Sequence, residues 1–174
     1  HGIRVIRRLW SGHVVADLKT VDGAIGEVEM VRQAGATAAT VLGSAPVETL
    51  NLFVQRCAEL HMVSMIDMLG VGDPLKVVLQ LRKQPDVVVL HRGRDEEGTR
   101  GKVIQYRHVN RLRSKYSMLI SAAGGVDLKE ARSAIFNGAN IVVANLVDPG
   151  SQLTGIPTNT DVAAIAQQFL DTIA

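Results

Sequence analysis

The chain has 174 residues, of which 47% are hydrophobic and 3% aromatic, and 19 Lys and Arg against 17 Asp and Glu give a formal net charge of +2. Composition this apolar excludes disorder as the main state, and a lone cysteine, Cys57, excludes a disulfide framework and a cysteine-rich zinc module. The small charge and few aromatics argue against a nucleic-acid platform, and no apolar run approaches the roughly 18 residues of a membrane span.

One domain over 1–174 is the expectation from length. Three arginines between Gly2 and Trp10 do not fit a secretory leader, so a cytoplasmic, reducing setting is expected. A helix at Gly2–Leu9 opens the chain. Six short β-branched runs then read as strands: His13–Thr20, Ala36–Ser44, Val63–Gly70, Pro85–Leu90, Met118–Ala123 and Asn140–Asn145. Between and after them, helical spacing covers Ala24–Ala34, Pro46–His61, Pro74–Lys83, Lys102–Lys115, Leu128–Asn137 and Asp161–Ile173. Asp73 before Pro74, Ser44 or Ala45 before Pro46, and Asp127 before Leu128 read as helix caps. Met62, Met65 and Met68 read as core filling, and Arg107, Arg111, Arg113 and Lys115 as a solvated helix face. Asp148–Thr160, rich in Gly, Pro, Ser and Thr, reads as a mobile loop over a site.

Strands alternating with helices imply a parallel α/β fold. Six such units and a leading helix fit either a doubly wound sheet or part of a TIM barrel, which needs eight strands and typically about 250 residues. Both architectures place chemistry at the carboxyl ends of the strands. The first strand ends with Asp17 and Lys19 on one face, and Asp22 follows at the next helix. A lysine between carboxylates suits a developing enolate oxygen, and Asp17 suits a hard cation; a structural ion pair reads the same spacing equally well. Asp67 ends the third strand, as a candidate acid or a helix cap. His91, where an apolar strand stops, is an acid/base candidate or a core histidine. Gly124 and Gly125 after the fifth strand let backbone N–H groups approach an anion, or simply make a turn. The sixth strand ends Ala144-Asn145.

Val-Ala-Asp17-Leu-Lys19-Thr-Val-Asp22 resembles the Asp-x-Lys-x-x-Asp motif of the orotidine 5′-monophosphate decarboxylase suprafamily. Gly2-Ile-Arg-Val-Ile-Arg, Glu27–Gly35, Asp67-Met-Leu, Asp86–Gly93 with Asp95, and Ala123-Gly-Gly-Val extend the likeness in order, nearest to 3-hexulose-6-phosphate synthases of the archaeal kind. The resemblance implies a TIM (β/α)8 barrel, of which this chain carries six βα units and lacks the first strand–helix–strand, so that part of the site precedes His1. It implies a homodimer with shared active sites, Mg²⁺ as cofactor, and formaldehyde and a sugar phosphate as substrates.

By that resemblance, Asp17 helps hold Mg²⁺, Lys19 lies beside the enediolate oxygen, and Asp22 serves the partner subunit's site. Asp67 matches the strand-five acid, which is Asp in synthases and usually Glu in 3-keto-L-gulonate 6-phosphate decarboxylases. His91 matches the acid/base histidine. Ala123 is synthase-like, whereas Arg94, three residues after the histidine, is decarboxylase-like. Ala123, Gly124, Gly125, Ala144 and Asn145 fall at the phosphate-binding strand ends, where Ala144-Asn145 departs from the Val-Gly-Arg or Val-Gly-Gly of relatives. The implied reaction is a reversible aldol addition joining formaldehyde and ribulose 5-phosphate. A decarboxylase of the same suprafamily and a catalytically silent binding or regulatory relative are the alternatives.

Overall fold

Residues 1–173 are described by the computed structural model, and the helices and strands expected from the sequence are present with shifted ends. The chain falls into two compact units: His1–Val88 with Tyr116–Met118, and Val89–Lys115 with the residues from Leu119 onward.

The first unit holds α1 (Gly2–Leu9), β1 (Val15–Thr20), α2 (Ala24–Ala34), β2 (Ala38–Leu42), α3 (Val47–Glu59), β3 (Val63–Asp67) and α4 (Pro74–Val78). Its strands lie in chain order and parallel, with β2 against β3 in unbroken register from Ala38↔Val63 to Leu42↔Asp67. Both β2 and β3 are buried over almost their whole length, as strands covered on two faces must be. On α3, Leu50, Phe53, Val54 and Cys57 are buried at positions three, four and seven apart, which makes one stripe facing the core. On α2, Ala24, Val28 and Val31 do the same, and Gly35 ends the helix at φ 102°, donating to the Val31 and Arg32 carbonyls.

The second unit receives the end of β4 (Val87–His91) and holds a one-turn 3₁₀ helix (Arg94–Glu96), α5 (Arg107–Arg113), β5 (Leu119–Ala123), α6 (Leu128–Phe136), β6 (Ile141–Val142), β7 (Leu146–Val147), β8 (Ile156–Pro157) and α7 (Val162–Ile173). Here Arg92 N–H, just past β4, donates at 3.0 Å to O of Ala123, the last residue of β5, and β5 pairs parallel with β6 through Ser121↔Ile141 and Ala122↔Val142. Asp127 caps α6, accepting from Glu130 N–H at 2.7 Å.

Three elements keep half or fewer of the residues that the sequence implies. The helix expected over Pro74–Lys83 ends at Val78 and continues as single turns, in which Gln80 N–H donates to Val77 O and Leu81 N–H to Val78 O. The helix expected over Lys102–Lys115 starts only at Arg107, since β-branched Val103 and Ile104 are poor helix formers. The strand expected over Asn140–Asn145 is confined to Ile141–Val142. Beyond it the chain turns into β7, which pairs with β8 inside the segment expected to be a plain loop. The helix N-cap expected at Ser44 or Ala45 is Pro46 itself.

Candidate functional site

The end of β1 departs from regular pairing. Ala16 lies opposite Ala39 and Thr20 opposite Val41, so Asp17, Leu18 and Lys19 bow around the single residue Thr40. Within this bulge Lys19 takes φ 50°, a left-handed conformation that costs a lysine of order 1–3 kcal/mol and persists only where surroundings enforce it. Thr40 supplies that enforcement. Its hydroxyl accepts from Lys19 N–H at 3.0 Å and donates to Asp17 Oδ1 at 2.9 Å.

The Lys19 ammonium reaches both oxygens of Asp17, at 2.8 and 2.7 Å, and Asp67 Oδ2 at 3.2 Å. The side chain of Asp67 is 3% exposed, that of Lys19 30% and that of Asp17 61%, so the ion pairs run from the interior to the surface. Asp67 Oδ1 also accepts Leu69 N–H at 3.0 Å. A carboxylate this buried is costly without a cation, which Lys19 provides. Burial alone would lower the lysine's pKa, but the hydrogen bond to Asp17 and the charge of Asp67 outweigh it and raise the pKa above 10.5. Lys19 is therefore a fixed positive charge at neutral pH, the kind of group that can stabilise a developing oxyanion.

The spacing expectation of a lysine flanked by Asp17 and Asp22 needs correction. The second carboxylate on Lys19 is Asp67, from the neighbouring strand ladder, because β3 runs in register with β2 to its last residue. Asp22 is exposed, and its Oδ1 accepts Gly23 N–H at 2.8 Å in its own turn.

In the second unit, His91 is the last residue of β4 and is half-buried. Arg94 is exposed at the start of the 3₁₀ turn. Ala123 ends β5, and the buried Gly124 and Gly125 follow at φ 95° and 61°. A Cβ on Gly124 would fall 1.9 Å from Arg92 O, so glycine is required there first by the close approach of protein backbone. Ala144 and Asn145 lie outside β6, and Asn145 O accepts Ile156 N–H at 2.7 Å, which commits that carbonyl to the β7–β8 pair.

Among the described residues no group of three or more His, Cys, Asp or Glu is placed to hold a metal. Asp17 offers an exposed hard oxygen donor, the kind of single carboxylate that Mg²⁺ accepts when water and substrate oxygens complete its shell. A cleft of about 290 Å³ lined by Asn51, Gln55, Glu59, Arg82 and Lys83 contains none of these residues. Two residues that matter to the geometry escaped the sequence reading: Thr40, hidden in an apolar strand as an ordinary β-branched residue, and Arg92, hidden beside His91.

The model of the orotidine 5′-phosphate decarboxylase / HUMPS family matches residues 1–145. The chain is similar to the bifunctional enzyme Fae/Hps of Methanothrix thermoacetophila, 33% identical over 98% of this chain and 42% of that protein. The Fae/Hps enzyme of Methanocaldococcus jannaschii is 33% identical over 85% of this chain and 38% of its own. This chain thus spans less than half the length of these curated relatives. Among solved structures, a 3-hexulose-6-phosphate synthase from Salmonella typhimurium superposes with TM-score 0.82 at 24% identity, covering 98% of this chain and 78% of that one. A further 3-hexulose-6-phosphate synthase structure gives TM-score 0.79 at 26% identity, covering 99% and 79%. The fold is accordingly that of the TIM-barrel synthases and decarboxylases, in a chain of six βα units that is shorter than those neighbours.

Proposed function

Because the chain belongs to the orotidine 5′-phosphate decarboxylase / HUMPS family, we propose that it is an aldehyde-lyase of the 3-hexulose-6-phosphate synthase type, reversibly joining formaldehyde to ribulose 5-phosphate. The observation that carries this reading is the Lys19 ammonium held by Asp17 on its own strand, β1, and by Asp67 at the end of β3, with β2 between them. The names of the relatives support it.

In the forward direction a proton leaves C1 of the ketose phosphate and the carbonyl becomes an enediolate. The C1 carbanion then attacks the formaldehyde carbon, and the new alkoxide takes up a proton. Lys19 stabilises the enediolate oxygen, by an effect whose loss costs about 10²–10³ in rate for a single donor. Asp67 and His91 carry the protons, and Gly124 and Gly125 receive the phosphate. Asp17 would hold Mg²⁺, which when bound supplies further positive charge at the substrate oxygens. The working state is a homodimer in the cytoplasm, with Asp22 completing the partner subunit's site.

Arg94 favours a second reading, decarboxylation of 3-keto-L-gulonate 6-phosphate. The test assays the chain with Mg²⁺ on both substrates. Formaldehyde-dependent consumption of ribulose 5-phosphate without CO₂ release from the keto acid is the expected result. CO₂ release alone establishes the decarboxylase, and inactivity of the full-length protein on every ketose phosphate establishes a silent binding relative.

A further inference from the structure

We propose that Glu27 is a positioning residue that holds Lys19 in place through Thr20, where β1 passes into α2. The proposal rests on the aldol reading above, which needs the Lys19 ammonium at a fixed point, and it names what fixes that point from the helix side.

Lys19 keeps its left-handed φ of 50° only while the peptides on both sides of it are held. The peptide before it is held by Thr40, whose hydroxyl accepts Lys19 N–H at 3.0 Å. The peptide after it joins Lys19 to Thr20. Thr20 lies opposite Val41 in the β1–β2 register, and its hydroxyl donates to Glu27 Oε2 on α2. Thr20 is 2% exposed, so its hydroxyl requires a protein partner, and Glu27 is that partner. With Thr40 on one side and Glu27 on the other, Lys19 has no free peptide through which to relax.

Glu27 stands on a firm mount. Ala24, Val28 and Val31 bury one stripe of α2, and Glu27 lies in the first turn of that helix, its N–H donating to Gly23 O at 3.3 Å. The helix has no side-chain cap at Gly23, and the Glu27 carboxylate goes to Thr20 instead. The tie spans residues 21–26 and so closes the turn that carries Asp22, whose Oδ1 accepts Gly23 N–H at 2.8 Å. One carboxylate thus braces both the residue after Lys19 and the turn holding the last acid of the Asp-x-Lys-x-x-Asp motif. The Lys19 ammonium itself pairs with Asp17 and Asp67, so Glu27 acts on it through the backbone.

The test compares wild type, Glu27→Ala, Glu27→Gln and Thr20→Val in the full-length protein, by two measurements. In turnover of ribulose 5-phosphate and formaldehyde, Glu27→Ala and Thr20→Val each lower kcat about 10- to 100-fold, the loss expected for a hydrogen bond to a charged group. The KM for ribulose 5-phosphate stays within a few fold, because the misplaced ammonium is missed chiefly in the transition state. Glu27→Gln, whose amide oxygen still accepts from Thr20, keeps most of kcat. Combining Thr20→Val with Glu27→Ala costs no more than either alone, as two halves of one bond require. The second measurement is amide hydrogen exchange. Lys19 N–H exchanges faster in Glu27→Ala and Thr20→Val, while Gly43 N–H, which donates to Asp67 O at 2.7 Å, keeps its wild-type rate. Should Glu27→Ala not fold, Thr20→Val, which preserves shape, carries both measurements. A loss of melting temperature with kcat and Lys19 exchange unchanged overturns the proposal, as does faster exchange at Lys19 and Gly43 alike. A fall in kcat without faster Lys19 exchange, or the reverse, overturns it too. A wild type that condenses no formaldehyde rejects the synthase reading, and the exchange of Lys19 against Gly43 then decides the positioning role by itself.

Discussion

Lys19 concentrates the ion pairs of the first unit and is the centre of the proposed chemistry, and its neighbours explain how a strand residue comes to hold that place. If its ammonium stabilises the enediolate, Lys19→Ala lowers kcat by at least about 10²–10³-fold with the protein still folded, as measured by formaldehyde-dependent loss of ribulose 5-phosphate. Thr40 acts one step behind it. Thr40→Val keeps the shape but deletes the bonds to Lys19 N–H and Asp17, so kcat falls by about tenfold or more while Thr40→Ser restores most of it. Equal rates in the valine and serine variants would reject the role. Lys19 also makes a pH prediction. Its pKa is raised in the folded protein, so its stabilising contribution is complete below 10.5 and is lost as pH rises through the folded value. The stability advantage of wild type over Lys19→Met, read from denaturant unfolding, is therefore constant through neutral pH and narrows above 10.5. The acid on β1 was legible at this scale because Asp17 and Lys19 share a strand face. Asp67 as partner of Lys19 was not, because that contact depends on the register of β2 with β3, which no local spacing encodes.

At the scale of elements, the helices whose stripes recur every three and four residues were readable to within two residues, as in α2 and α3, because burial enforces the stripe. The readings failed where a neighbour rather than a periodicity ends the element. Asn140–Asn145 holds the β-branched run Ile141–Val143, yet Asn145 O is drawn off to Ile156 N–H. Cys57 tests the α3 stripe directly. Burial, with a smaller push from the charge of Asp86, raises its thiol pKa to about 12, so it stays protonated and shielded at neutral pH. Native protein reacts with a thiol reagent only at the rate of unfolding, and fast labelling at pH 7 would show that α3 does not seat as described. The glycines give a contrasting pair. Gly70 and Gly124 have similar positive φ, but a Cβ meets nothing within 4 Å at Gly70 and backbone at 1.9 Å at Gly124. Gly70→Ala bears conformational strain alone, of order 1 kcal/mol, whereas Gly124→Ala must also displace the end of β4 and lowers the melting temperature by clearly more.

At the scale of the whole molecule, Asp22 tests whether one chain or two make the proposed site. It is the second acid of the Asp-x-Lys-x-x-Asp motif, yet it is exposed and accepts from Gly23 N–H in its own turn, while Lys19 is satisfied by Asp17 and Asp67. An acid that its own subunit does not use for the lysine fits a role in the partner's site, within a two-fold dimer in which each copy gives what it receives. In the proposed homodimer with shared sites, Asp22→Asn and Lys19→Ala each disable both sites. When the two variants are mixed and allowed to exchange, a heterodimer has one site with both substitutions and one with neither. Random pairing then restores about a quarter of wild-type activity from two nearly inactive proteins. The mixture is compared with each variant alone at the same total concentration, with subunit exchange verified by mass. Exchange without recovery would show that Asp22 serves its own chain, and the site would then be complete within one subunit.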